Sequence, residues 1–335
     1  MQPPAPAAPV RVESWADLLF NSGYTSADAV GRVIAGWLAL MRAQRIELVV
    51  GESAPGAMLA ARIAGIPAVP VGMGWNLPPP DTPLPAIRFW EPPEPAVLHA
   101  AEARLLAAVN PALAAAGGHP IETLATLFDP KLCCLCVFPE LDHYLDRGEA
   151  DYFGAIYQLA DGVPPQWPTG GVQRCFAYVN GRHKVLAALL AGLGEVGYPT
   201  VIHLRGDPGK SDTALPINAW LAPGPVRLDR VLAEQPVVIC QGLHTLCAAL
   251  AAGCPVLSVP EHLEQTGLAN RIMRQGLGLA LSPHALPQEA GAVLRRLVEE
   301  PAFRTRAAAF AASYAGYEPG LAVEAVVGEC LSLLG

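Results

Sequence analysis

The sequence predicts an α/β fold with two Rossmann-like domains, each built on a doubly wound parallel sheet. Short apolar runs typical of strands alternate with helical segments, which is the pattern of β-α-β units. This alternation occurs twice, on either side of a segment rich in proline and glycine over residues 161–171. Hydrophobic residues make up 52% of the 335 residues and charged residues 16%, a composition that excludes a disordered chain.

In the first half, apolar residues at helical spacing predict a helix over 26–45. Two short apolar runs then predict strands over 47–50 and 68–71, joined by a helix over 57–64 and hence parallel. The proline-rich stretch 78–95 is predicted to be irregular. Later elements of this half are predicted helices over 96–116 and 121–128 and a predicted buried strand over 131–138.

The second half repeats the alternation more regularly, which favours a doubly wound sheet. Its predicted strands cover 175–179, 200–204, 237–240 and 255–259, and its predicted helices cover 183–196, 228–233, 244–252, 264–275 and most of 288–334. We place the domains at 1–165 and 172–335.

Charge and composition argue against nucleic-acid-binding, membrane-spanning and secreted proteins. The net charge of −8 provides no broad basic field for nucleic acid or anionic lipid. The sequence shows no secretory signal and no apolar run long enough to span a bilayer, so a cytoplasmic protein without a transmembrane segment is expected. The eight cysteines are expected to be reduced and buried. Zinc binding is the alternative, but no second C-x-x-C accompanies the one at 133–136 to complete a paired motif, and we predict no metal site.

Two fragments resemble functional motifs without satisfying them. The run 206–211 has the end of a P-loop, but Leu204 stands where its first glycine is required. Asp142, His143 and Asp146 follow a predicted strand. Such a trio can act in acid–base catalysis, although turn and cap residues commonly form the same pattern.

The most informative stretch is 237–281. An apolar strand ends at Cys240, Gln241 and Gly242 form a turn, and His244 and Thr245 begin an alanine-rich helix. The free amides of a first helical turn bind anions, glycine lets a phosphate approach the backbone, and a threonine hydroxyl adds a donor. A plain strand-to-helix turn is the alternative.

The next strand-to-helix turn carries Glu264 and Gln265. A carboxylate accepts hydrogen bonds from sugar hydroxyls, and a carboxamide both donates and accepts them. This pair therefore suits a sugar at the edge of the sheet. Capping of the helix N-terminus by Glu264 is the alternative interpretation.

These residues resemble the donor-binding signature of the GT-1-type, GT-B-fold glycosyltransferases that use UDP- or TDP-sugars. The matching positions are Gly242, Thr245, Gly253, Pro255, Pro260, Glu264, Gln265, Gly276, Gly278 and Leu281. Looser likeness at 60–67, 137–157 and 176–180 extends the resemblance over most of the chain. It implies an acceptor-side domain at 1–165 and a nucleotide-sugar-binding domain at 172–335.

The resemblance implies inverting, metal-independent transfer of a hexose from a UDP- or TDP-sugar to a small-molecule acceptor hydroxyl, with no further cofactor. It adds Gly181, Arg182 and Leu228 to the expected donor-binding residues, with Arg182 as a diphosphate partner. One departure concerns the family's His-Gly-Gly turn, where this chain has Cys240 and Gln241. His244 is the candidate replacement for the missing histidine.

The other departure is that no Gly-His-x-x-Pro-like turn, which carries the family's general base, precedes residue 26. The catalytic residue is therefore unassigned and expected before Met1, with an incomplete N-terminal domain and little or no turnover by this chain. An open sheet edge near 48–50 would then favour self-association. A non-catalytic sugar-nucleotide-binding or auxiliary relative is the main alternative, and a GT-B-fold epimerase is a third.

Overall fold

The computed structural model describes residues 4–128, 133–206 and 214–334, which form two compact units. Unit 1 comprises 1–154 and 320–335, and unit 2 comprises 155–319. The predicted α/β fold with parallel sheets is confirmed: all ladders between named strands are parallel in both units. Most of the P-loop-like run, 207–211, lies outside the described residues.

Unit 1 holds a three-stranded parallel sheet in the order β1-β2-β3. Ser26 caps α2 by accepting a hydrogen bond from the amide of Ala29 at 3.2 Å, and α3 ends at Gly65 with a positive φ of 67°. The elements are α1 (Trp15–Asn21), α2 (Ala27–Gln44), β1 (Val49–Gly51), α3 (Pro55–Ala64), β2 (Ala68–Gly72), α4 (Pro95–Ala115) and β3 (Cys134–Leu135).

Two predicted elements of unit 1 are shorter than expected. The helix predicted over 121–128 is only a 3-10 turn at Leu124–Leu127, because Glu102 of α4 accepts hydrogen bonds from the Thr123 hydroxyl at 2.6 Å and the Leu124 amide at 2.8 Å. The strand predicted over 131–138 reduces to β3, since a second 3-10 turn begins at Pro139; residues 131–132 lie outside the described part.

Unit 2 holds a six-stranded parallel sheet in the order β6-β5-β4-β7-β8-β9. This is the strand order of dinucleotide-binding Rossmann folds, and the chain reverses direction across the sheet between β4 and β7. The elements are β4 (Cys175–Asn180), α5 (Leu186–Val196), β5 (Thr200–Arg205), β6 (Ala219–Leu221), α6 (Leu228–Leu232), β7 (Val237–Cys240), α7 (Leu243–Ala251), β8 (Val256–Ser258), α8 (Leu263–Gln275), β9 (Gly278–Ala280), α9 (Pro287–Glu299) and α10 (Pro301–Ser313).

The core of unit 2 lies between the sheet and the pair α5 and α9. Leu189 and Leu193 of α5 and Leu294 of α9 are fully buried against Ile202 and Ile239 of the sheet. This packing buries one face of every central strand and holds the carboxyl ends of β4 and β7 side by side.

The last helix, α11 (Pro319–Ser332), belongs to unit 1 rather than to the sheet that precedes it. Its Val326 and Cys330 pack against Val69 of β2 and Cys134 of β3. The division of the chain therefore differs from the predicted domains 1–165 and 172–335: the first unit ends at 154, and it also takes the C-terminal helix, because that helix covers its three-stranded sheet.

The edge of the unit 1 sheet is formed by β1, which among the described strands pairs only with β2. Val50 on this strand is 53% exposed. Within the part of the chain that the structure describes, no helix combines the length and apolarity needed to cross a bilayer.

Candidate functional site

A cleft of about 160 Å³ lies at the carboxyl ends of the central strands of unit 2, beside the point where the strand order reverses. Open α/β sheets bind their ligands at this position. Residues from β4, β5, the β7–α7 turn and α8 form its wall: Tyr178, Val179, Arg205, Gln241, Gly242, Leu243, His244, Thr245 and Gln265.

The N-terminus of α7 supplies hydrogen-bond donors to this cleft. Gly242 is the N-cap in an extended conformation, and the first intrahelical bond runs from the Leu246 amide to the Gly242 carbonyl at 3.3 Å. The amides of Leu243, His244 and Thr245 precede that bond and carry the positive end of the helix dipole. Gly242 is exposed, and a Cβ placed there would meet nothing within 4 Å. The turn therefore has room for an anion against its backbone.

Among the described residues that line this cleft, Arg205 carries a positive charge, and it was not among the residues predicted from the sequence. It is exposed at the end of β5, and its carbonyl accepts a hydrogen bond from the Gly181 amide at 3.0 Å. Arg182, the predicted diphosphate partner, does not line the cleft, and its amide donates to Asn180 Oδ1 at 3.0 Å. The adjacency of β5 to β4 was needed to find Arg205, and the sequence does not show it directly.

Gln241 lines the cleft but directs its side chain toward neighbouring turns. Its Oε1 accepts a hydrogen bond from the Asn180 amide at 2.6 Å, and its Nε2 donates to Glu261 Oε2 at 3.2 Å. Asn180 Nδ2 donates to the same carboxylate oxygen at 3.4 Å. The carboxamide of Gln241 thus connects three turns at the carboxyl edge of the sheet.

Of the predicted sugar-binding pair, Gln265 lines the cleft and Glu264 does not. Gln265 is 6% exposed and lines the cleft, and its Oε1 accepts from the Glu261 amide at 2.8 Å. Glu264 lies outside the cleft lining, with its Oε2 at 3.5 Å from His262 Nδ1. Burial raises the pKa of Glu264 to about 7, so this carboxyl changes charge near neutral pH.

His183 stabilises the backbone beside the cleft through hydrogen bonds of both ring nitrogens. Its Nδ1 accepts a hydrogen bond from the Val185 amide at 2.9 Å, so its Nε2 carries the proton and donates to the Val259 carbonyl at 3.1 Å. Burial lowers the pKa of this imidazole, which favours the neutral form. The ring holds the β4–α5 turn against the end of β8.

Leu228, which the resemblance adds to the site, and Cys240, which replaces the family's histidine, also lie outside the cleft lining. Leu228 begins α6, is half-buried, and does not line the cleft. Cys240, at the place of the family's histidine, is completely buried, and this burial raises the pKa of its thiol to about 12. A buried thiol cannot perform the phosphate-donor role of an exposed histidine.

The Asp142 trio organises a loop of unit 1. Asp142 is ion-paired with Arg147 and accepts hydrogen bonds from the Tyr152 hydroxyl at 2.7 Å and the Tyr144 amide at 3.0 Å. His143 is buried with its ring edge-on to Trp75. These contacts favour the turn interpretation. Across the described residues, no group of three His, Cys, Asp or Glu side chains is placed to hold a metal ion.

A second cavity, of about 440 Å³, lies wholly within unit 1 near the carboxyl ends of β1 and β2. Aromatic rings dominate its wall, which includes Trp15, Tyr24, Trp37, Trp75 and Asn76. At its edge Asn76 Nδ2 donates to Glu52 Oε1 at 3.3 Å. The cavity is not visible in the sequence, because its rings come from four separate segments.

Comparison with known proteins agrees with this architecture. No family model matches the chain. It is 28% identical over 307 residues to the PGL/p-HBAD biosynthesis rhamnosyltransferase of Mycobacterium bovis (strain BCG / Pasteur 1173P2), a match covering 80% of this chain. The chain spans 64% of the length of that relative.

Solved structures give the same fold. Spinosyn rhamnosyltransferase SpnG aligns with a TM-score of 0.65 at 19% identity, over 91% of this chain and 80% of that one. Glycosyltransferase VinC, solved in complex with dTDP, aligns with a TM-score of 0.64 at 17% identity and the same coverages, 91% and 80%. The chain thus has the fold of these glycosyltransferases, and its sequence is similar to that of a rhamnosyltransferase over most of its length.

Proposed function

We propose that the chain acts in the transfer of a hexose from a UDP- or TDP-sugar to an acceptor hydroxyl, with inversion and without a metal ion. The observation that carries this proposal is the cleft at the strand reversal of unit 2, which is lined by both the first turn of α7 and Arg205. The dTDP complex of the structural neighbour VinC supports the choice of nucleotide.

In this mechanism the oxygen of the acceptor hydroxyl attacks the anomeric carbon, its proton passes to a base for which no residue is assigned, and the nucleoside diphosphate leaves from the opposite face. Negative charge develops on the leaving diphosphate. The first-turn amides of α7, the Thr245 hydroxyl and Arg205 stabilise that charge, a task that a divalent cation performs in other glycosyl transfers. Gln265, which lines the cleft, binds the sugar hydroxyls.

The acceptor, in this proposal, occupies the aromatic cavity of unit 1. Its tryptophan and tyrosine rings provide flat apolar walls, and Ser53 and Asn76 provide polar groups at the rim. Such a lining suits an uncharged alcohol or phenol with a planar apolar body.

One observation favours the alternative, a donor-binding relative without turnover. The Asp142 trio, which is the acid–base candidate within this chain, is engaged in its own loop, with Asp142 ion-paired to Arg147 and His143 buried. Donor binding with neither sugar release nor acceptor glycosylation would support this alternative over the transferase.

The free edge of β1, with Val50 exposed, is proposed as a contact between copies of the chain. Sedimentation velocity at increasing concentration tests this idea. A Val50→Lys variant is expected to shift the distribution toward the monomer, and an unchanged distribution contradicts the proposal.

Replacement of Gly242 by valine tests the donor site. The backbone at Gly242 has an ordinary φ of −103°, and open space surrounds the added side chain, so folding is expected to be preserved. The valine occupies the diphosphate position, and calorimetry is expected to show UDP and TDP affinity reduced by a hundredfold or more.

Gly171→Val is the matched control, because Gly171 is also exposed with nothing within 4 Å of a Cβ and lies outside the cleft lining. This control is expected to bind like the wild type. Equal affinity of the Gly242 variant and the wild type would remove the diphosphate from the α7 turn.

A further inference from the structure

Gln241 stands where the donor-binding signature of the GT-1-type glycosyltransferases has glycine. In the proposed mechanism its long side chain does not contact the donor. The side chain is nevertheless buried at the strand reversal, with 6% exposed. A buried carboxamide is costly unless its hydrogen bonds are made. Here both of its polar atoms are paired, at 2.6 Å and 3.2 Å.

These contacts join the turns that follow β4, β7 and β8, three neighbouring strands of the sheet. Gln241 in the β7–α7 turn holds the Asn180 amide at the end of β4 and the Glu261 carboxylate before α8. Asn180 Nδ2 closes the triangle on Glu261 at 3.4 Å. Gln265, which lines the cleft, accepts from the Glu261 amide at 2.8 Å and extends the same network.

We infer that Gln241 is a positioning residue that holds the Asn180 turn and the Glu261 carboxylate in place beside the α7 amides. This inference rests on the proposed donor site. Glu261 is a negative charge next to the place where the diphosphate binds, and two anions at one site repel. Donors from Gln241 and Asn180 keep the carboxylate on their side of the cleft, so the α7 amides remain available to the donor.

The hydrogen bonds of Gln241 are expected to raise the affinity for the donor because they order the two turns before the donor binds. A glycine at 241 would leave the Asn180 amide and Glu261 without these partners, and donor binding would then have to order both turns. The glutamine that replaces the signature glycine is thus matched by hydrogen-bond partners at Asn180 and Glu261. A loss of about tenfold in nucleotide affinity is expected when the connection is removed.

A double-variant cycle tests the inference with UDP and TDP as probes. Gln241→Met keeps the length of the side chain and removes both hydrogen bonds. Calorimetry is expected to show about tenfold weaker binding. In a Glu261→Ala background the same substitution is expected to cost no more than about threefold, because no carboxylate remains to be restrained. Gln173→Met, a half-buried glutamine before β4 without a place in the cleft, is the control.

Amide hydrogen exchange provides a measurement that needs no nucleotide. The Asn180 amide is expected to exchange at least tenfold faster in Gln241→Met than in the wild type, and at an unchanged rate in Gln173→Met. Unchanged exchange at Asn180 overturns the positioning role whatever the nucleotide data show. Equal nucleotide affinity of Gln241→Met and the wild type overturns its effect on the donor.

An equal loss with and without Glu261 would also overturn the inference, since Gln241 would then act without restraining the carboxylate. If the wild type binds neither UDP nor TDP, the proposed function itself fails. In that case the exchange measurement separates the two failures, because it reports on the turn alone.

Discussion

Glu264 lies in the first turn of α8 with 14% of its side chain exposed. Burial raises its pKa from 4.5 to about 7, so the folded state holds a proton that the unfolded state releases. Its contribution to stability is therefore fully present below pH 4.5 and is lost as the pH rises toward 7. Near pH 8 the buried carboxylate costs about 3 kcal/mol.

Glu264→Gln is expected to be more stable than the wild type at pH 8 and nearly equal to it at pH 4.5. Urea denaturation at the two pH values measures the difference in free energy of unfolding. Glu318→Gln, at an exposed position, serves as the control and is expected to change stability by no more than about 0.5 kcal/mol at either pH. A pH-independent effect of Glu264→Gln contradicts the assignment.

The predicted site residues that the structure brings together are those whose placement depends on local sequence. The turn carrying Gln241, Gly242, His244 and Thr245 follows a strand directly, and the structure brings these residues together with Gln265. Arg205 was missed because its place depends on β5 lying next to β4, a long-range relation. The orientation of the Gln241 carboxamide was also beyond sequence reasoning, since it depends on partners at 180 and 261.

At the scale of elements, most strands and helices were predicted, but β6, β9 and α1 were not. The strands β6 and β9 have three residues each and no visible periodicity. At Gly278 in β9 an added Cβ would lie 2.0 Å from the Val256 carbonyl oxygen, so glycine marks close strand pairing there. Helix α1 was missed although Ser14 and Asp17 form the S-x-x-D capping pattern that could have revealed it.

The attachment of α11 to unit 1 is tested by two neighbouring valines. Val326 is 7% exposed against the sheet, whereas Val327 is 48% exposed. Val326→Asn is expected to lower the free energy of unfolding by about 2 to 3 kcal/mol, because it buries an amide among apolar side chains. Val327→Asn is expected to stay within about 0.5 kcal/mol. Urea denaturation followed by circular dichroism measures both, and equal effects contradict the packing of α11.

At the scale of the whole molecule, the fold class followed from the alternation of elements, but the division into units did not. Helix α11 follows unit 2 in sequence and packs in unit 1, with Val326 and Cys330 against β2 and β3. Its apolar spacing predicts a buried face without specifying which sheet that face covers. The sequence boundary was placed at the breakers of 161–171, yet the first unit ends at 154.

Because the two candidate binding sites lie in different units, variants of one are expected to spare the other. Trp37→Ala removes one aromatic wall of the unit 1 cavity. Affinity for 1-naphthol, used as a flat phenolic probe in equilibrium dialysis, is expected to fall about tenfold, while UDP affinity stays within twofold. Gly242→Val should give the opposite pattern. Loss of both affinities in either variant contradicts separate sites.

Because the cysteines are buried, the surface of the described chain offers few thiols that can react with thiol reagents. Seven of the eight are buried and Cys136 is half-buried, and burial raises the pKa of Cys134, Cys175 and Cys254 to about 12. Thiol reagents attack the thiolate, which such groups scarcely form at neutral pH. A single cysteine introduced at exposed His262, beside the donor cleft, would therefore accept a fluorophore selectively in the otherwise native chain. Nucleotide occupancy could then be followed as a change in emission.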